Sequence, residues 1–243
     1  MIFDASDFVF KAPPAISRAR RVLIKPCAAY PAAYPVTTSR NMLSAIIIGI
    51  RRVSDTDILL LESAAGGDPI YPIYQTLGYD FPRVLTLDVK DCTLVEVDNP
   101  LSKPYAVSTF WIPNVILSSD YLITMAPLKV ANGRGNLSIM NLLNTLPSSK
   151  YDGETPGSWN ALYDLGIDKV AADLYFTLPF DLGIIEARRK FTVGNEPTSG
   201  EIEEYGKIFV GEPYEVDREA SEVLGLNTEH LDFIRTAKIE FES

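Results

Sequence analysis

The residues best suited to chemistry lie in segment 120–147, DYLITMAPLKVANGRGNLSIMNLLNTLP. Lys129 and Arg134 place two cations close together, and Gly133 and Gly135 allow a tight turn and close approach of a ligand to the backbone. A helix is expected to begin near Asn136. A helix start leaves N–H groups without internal partners and carries the positive end of the helix dipole. Together these make an anion-binding arrangement. It is neither a Walker loop, since no Gly-Lys-Ser or Gly-Lys-Thr closes it, nor a GxGxxG turn. The loop GNEPTSG (194–200) repeats the chemistry: Gly194 and Gly200 free the backbone, while Asn195, Thr198 and Ser199 offer polar groups.

Further charged residues fall where apolar runs end. Lys25 closes RRVLIKP, Glu62 closes DILLLE and Glu186 falls near the end of DLGIIEA. Unpaired charges on one rim are costly to bury, so they must pair with one another or meet a ligand. Asp217 sits beside an apolar helix stripe and calls for a partner. On this reading Lys25, Lys129 and Arg134 supply charge, and the turn to Asn136 supplies N–H donors. Asn141, Asn195, Thr198 and Ser199 orient a small anionic ligand. Glu62, Glu186 or Asp217 would act as acid or base, or hold a divalent cation. Cys27, just after Lys25-Pro26, could be activated by a lysine or be a small buried hydrophobe. The only histidine is His230, which excludes a multi-histidine zinc site by counting.

The positioning elements follow from hydrophobic periodicity. Strands are expected at 20–26, 57–62, 84–89, 93–98, 121–127, 181–187 and 207–211. Helices are expected at 37–52 with Thr38 or Ser39 as N-cap, 69–78, 112–118, 137–146, 168–178, 213–224 and 228–237. Residues 148–166 form a polar excursion rich in glycine and proline. Strands alternating with helices imply an α/β fold: a mainly parallel or mixed sheet with helices on both faces, layered as in Rossmann-like proteins. Ligands in such sheets bind at the carboxyl ends of the strands.

The chain has 243 residues, 47% of them apolar, which suits a single α/β domain spanning 1–243. The 22 Lys and Arg against 32 Asp and Glu, net −10, disfavour nucleic acid as a partner. Two cysteines cannot supply the roughly four thiolates of an iron–sulfur cluster, so none is expected in this chain. The first residues lack a basic region ahead of an apolar core, and the longest apolar run, AIIIGI, is too short to span a bilayer. A cytoplasmic protein with no membrane partner is the expectation.

Read in order, VLIKP with TTS (37–39), the strand ending in Glu62, SSDYLITMAPLK (118–129), LSIMNLLNTLP (137–147), GNEPTSG (194–200) and GEPYEVDREASEVLG (211–225) resemble the family called domain of unknown function 362. The resemblance runs from about Val22 to Leu226. Members are often joined to ferredoxin-like cluster domains, which implies service in redox or metallocofactor chemistry. Against the family pattern, Cys27 replaces an asparagine, Val130-Ala131 replaces Thr-His, Met140 replaces a lysine, and Glu196 replaces a small residue. The chain therefore resembles a shortened, cluster-free member that has lost an imidazole and an ammonium. That loss motivates an alternative: a non-catalytic partner or scaffold subunit derived from an enzyme. It would pair with itself or with a redox partner protein, using aromatic anchors in Tyr30–Pro35 and Tyr71–Tyr74.

Overall fold

A computed structural model describes residues 1–242. Ten strands run β1 (Ile2–Asp4), β2 (Arg21–Lys25), β3 (Asp57–Glu62), β4 (Val84–Asp88), β5 (Leu94–Asp98), β6 (Thr109–Pro113), β7 (Tyr121–Ala131), β8 (Arg134–Asn136), β9 (Leu182–Val193) and β10 (Gly200–Gly211). Seven α-helices accompany them: α1 (Arg40–Arg51), α2 (Tyr71–Leu77), α3 (Asn114–Leu117), α4 (Asn160–Asp164), α5 (Ile167–Thr177), α6 (Pro213–Leu224) and α7 (Glu229–Glu242).

The main sheet has the order β1-β10-β9-β7-β2-β3-β4, with β8 paired to β7. From β4 to β9 the pairs on this path are parallel; β10 and β1 close one side antiparallel. The expected mixed α/β fold is therefore present. Its central strands are continuous apolar runs because both faces are covered. Alternation along each strand sorts the side chains. Val22, Ile24, Ile58, Leu60, Ile123 and Met125 pack toward α1 and its stripe of Met42, Leu43, Ile46 and Ile50. Leu23, Leu59, Leu61 and Leu122 pack on the other face against Leu142, Leu146 and Leu174. Helix α1 starts at Ser39, whose hydroxyl accepts the Met42 N–H at 3.0 Å.

Several elements differ from the sequence reading. The helix expected at 112–118 is only α3. The residues before it form β6, whose aromatic and β-branched side chains suit a strand paired with β5 in a separate two-stranded sheet. Strand β7 continues through Lys129 to Ala131, so Lys129 stands on a strand and not in a loop. Asn132 and Gly133, with φ of +51° and +73°, then make a two-residue hairpin turn into β8. Asn-Gly is the dipeptide that favours such a turn, and it outweighs the helix pattern that follows. No α-helix starts near Asn136; residues 140–145 form a short 3-10 segment. Strands β9 and β10 extend beyond their expected limits into one long hairpin with 194–199 at its tip. No helix among the described residues is long and apolar enough to cross a membrane.

Candidate functional site

Strands β2 and β3 end side by side while β7 runs on past them, paired with β9, and together they bring Lys25, Glu62 and Lys129 to one region. A hollow of about 350 Å³ opens there. Of the residues expected to meet a ligand, it gathers Glu62, Lys129, Asn136, Asn141 and Asn195, with Cys27 and Asn144 beside them. Tyr30, Met140, Trp159, Tyr163 and Ile167 add an apolar wall. A second hollow of about 390 Å³, between residues 100–105 and α7, has Lys103, Lys169 and Glu240 on its walls. It contains none of the strand-end residues.

The floor is a locked polar network. Lys25, fully buried, donates from Nζ to Glu62 Oε2 at 2.8 Å, Asn141 Oδ1 at 3.0 Å and the Pro26 carbonyl at 2.9 Å. Glu62 also accepts the backbone N–H groups of Ala28 at 2.8 Å and Ser63 at 2.9 Å. Burial pushes the Glu62 carboxyl above its ordinary value, while the Lys25 ammonium pulls it back. Asn141 Nδ2 donates to the carbonyls of Lys25 and Met125 and to Thr124 Oγ1. Lys25 and Asn141 thus spend their hydrogen bonds inside the protein. Lys25 is a support beneath the hollow and not a source of net charge, because Glu62 neutralises it.

Other expected ligand groups are likewise spent elsewhere. Arg134 points away from the hollow and binds Asp168, Nη1 to Oδ2 at 2.5 Å. Glu186 lies outside the hollow and accepts the Ser39 N–H at 3.0 Å and the Ser39 hydroxyl at 2.7 Å, anchoring the start of α1. Thr198 and Ser199 are exposed at the hairpin tip, while their neighbour Asn195 faces the hollow. Asp217 is wholly buried; it accepts the N–H groups of Ser138 and Ile139 at 2.9 Å each, and the Ser138 hydroxyl at 2.5 Å. The chain itself therefore supplies a carboxylate to the backbone donors following Asn136. Glu62, Glu186 and Asp217 are each committed to internal donors. Among the described residues no group of three or more His, Cys, Asp or Glu side chains is placed to hold a metal ion.

Lys129 is different. It is 8% exposed, lines the hollow, and forms no ion pair with any described carboxylate. Its ammonium contacts Cys27 Sγ at 3.3 Å. Tyr30 shares this environment: burial raises its phenol above the ordinary value, with Lys129 opposing. A buried cation without a counter-charge is costly unless something anionic meets it.

The residues that sequence reading missed are Trp159 and Tyr163. They stand four positions apart in the polar excursion, at the start and in the body of α4, with Ile167 four further on. That spacing puts Trp159 and Tyr163 on one side of α4, whereas Ile167 begins α5 after the break at Gly166 and reaches the hollow through the tertiary fold. The proposed interface anchors have internal roles. The Tyr34 hydroxyl accepts the Arg189 N–H at 2.8 Å, Tyr74 is buried with its hydroxyl on the Leu87 carbonyl, and Tyr71 bonds Asp91.

No protein-family model matches this chain, and no curated protein matches it.

Proposed function

We propose that this protein binds a small anionic ligand in the hollow at the carboxyl ends of β2, β3 and β7. One observation carries the reading: Lys129 is more than nine-tenths buried, faces the hollow, and has no carboxylate partner among the described residues. With Lys25 neutralised by Glu62, Lys129 leaves the hollow one net positive charge. Asn136, Asn144 and Asn195 line the same hollow, and their amides can both donate to and accept from a ligand. Concave sites with a few converging polar groups at strand ends are where α/β proteins hold ligands. Membership of the domain of unknown function 362 family is proposed on the ordered segments quoted above, and it points to the same strand ends.

The test is Lys129→Met in a thermal-shift and calorimetric panel of phosphate- and carboxylate-bearing compounds. Ligands of the unaltered protein should bind at least about tenfold more weakly to the variant, since removing one member of a desolvated charge pair is expensive. Arg134→Ala, which breaks the contacts with Asp168 and Glu229 outside the hollow, should leave binding unchanged. Equal binding of every such compound by the unaltered protein and Lys129→Met overturns the reading.

A further inference from the structure

We infer that the hollow takes an aromatic monoanion, a flat organic ring bearing one carboxylate or similar acidic group, and not a bare inorganic ion. This rests on the anion-binding reading of the same site and adds the class of ligand.

Three observations point to it. The first is charge. Among the described residues, Lys129 is the one charged side chain of the lining left without a counter-charge, because Glu62 is matched by Lys25 at 2.8 Å. One cation in a desolvated site suits one anionic group; a second negative charge would face the Glu62 carboxylate.

The second is size. At about 350 Å³ the hollow has the volume of roughly a dozen liquid waters. An acetate or phosphate ion held at Lys129 would fill only a fraction of it, and the rest would stay wet. Volumes of this order are typical of sites for organic ligands.

The third is the wall. Trp159 and Tyr163, four residues apart at the start and in the body of α4, line the hollow together with Ile167 from the start of α5, Met140 and Tyr30. The indole is held in place by Nε1 donating to the Leu146 carbonyl at 3.0 Å. Tyr163 is 60% exposed, an unusual position for a large ring that lines a hollow. An aromatic wall with an anchored indole favours a flat apolar partner by area burial and ring stacking, and Met140 adds a polarizable contact. The acidic group would sit on Lys129 with Asn136 or Asn195 beside it, and the ring against Trp159 and Tyr163.

Calorimetry with benzoate, acetate, inorganic phosphate and uncharged benzamide tests this. Benzoate should bind at least about tenfold tighter than acetate, phosphate or benzamide, since the ring contributes burial and the charge contributes pairing. Trp159→Ala should weaken benzoate several-fold and leave acetate unchanged. Tyr163→Ala provides the same comparison at an exposed residue should the indole prove necessary for folding. Lys129→Met should remove the advantage of benzoate over benzamide. If acetate or phosphate binds as tightly as benzoate in a Lys129-dependent way, the aromatic class is wrong while the anion site stands. If benzamide matches benzoate and Lys129→Met changes neither, both readings fail.

Discussion

Replacing Lys25 with methionine is a sharp test of how the floor of the hollow is built. Methionine keeps most of the apolar stem and deletes the ammonium. Three acceptors then lose their donor: Glu62 Oε2, Asn141 Oδ1 and the Pro26 carbonyl. Glu62, 1% exposed, keeps only the Ala28 and Ser63 N–H groups. Breaking a buried pair by removing one partner typically costs about 3–5 kcal/mol, because a charge stays behind in a poorly solvating interior. Against a usual stability of about 5–15 kcal/mol the variant should fold but be markedly weakened. Glu62→Gln removes the other charge while keeping one acceptor oxygen. The double variant Lys25→Met/Glu62→Gln should therefore be more stable than the sum of the single losses predicts, with a coupling of about 2–3 kcal/mol. Urea denaturation of the four proteins at neutral pH supplies the cycle. A Lys25→Met cost below about 1 kcal/mol, or additivity within about 0.5 kcal/mol, would refute the claim that this pair is a desolvated, mutually dependent unit.

Three further outcomes are expected. His230, 1% exposed, has Nδ1 3.4 Å from Asp168 Oδ1 and Nε2 3.9 Å from Asp217 Oδ2, the second a charge contact too long for a hydrogen bond. Burial pulls its pKa down, but the two carboxylates outweigh that and leave it above 6.5; the His230 contact in turn holds Asp168 below its ordinary 3.8. The His230 contribution is full below its unfolded pKa and is lost as pH rises through the folded one. That of Asp168 is present above its unfolded pKa and lost as pH falls through the folded one. Urea midpoints should therefore fall from about pH 6 to about pH 9 and flatten in His230→Gln; a constant midpoint in the unaltered protein contradicts this. Iodoacetamide should label Cys27, which lines the hollow, well before Cys92, whose thiol is pushed up to about 11 by burial and by Asp88 and Asp91. Peptide mass mapping showing equal rates would be inconsistent with that. Gly133→Ala should cost about 1–2 kcal/mol from the backbone alone, since φ is +73° and a Cβ there would meet nothing within 4 Å. A urea midpoint equal to that of the unaltered protein would show that the Asn-Gly turn is not required.

Legibility varied with the range of the interactions involved. The apolar runs of β2, β3 and the start of β7, and the stripe and cap of α1, were plain because burial on a pleated strand or one helix face leaves a periodic trace. The placing of Glu62 and Lys129 on one rim follows from parallel strands that share a direction, whereas Asn195 joins them only because β9 runs on beside β7 into the β10 hairpin. Segment 129–146 departs from its local pattern. Leu137, Met140, Asn141 and Asn144 have helical spacing, but the Asn132-Gly133 turn reverses the chain first, and Asp217 from α6 fixes the N–H groups of Ser138 and Ile139 from far along the sequence. Arg134, Glu186 and Asp217 lie outside the hollow, and each has an internal partner, Asp168, Ser39 or the backbone at 138–139, that no local pattern announces.

The sequence alone determined the layered α/β class and the strand-end positions of Lys25, Glu62 and Lys129, since these depend on residue type and short-range period. Only the folded chain decided which cation remains uncompensated. Lys25 and Lys129 both stand at strand ends among apolar neighbours, yet one meets a carboxylate at 2.8 Å and the other a thiol at 3.3 Å. Charge compensation acts over a few ångströms between segments distant in sequence, so it is a property of the tertiary arrangement.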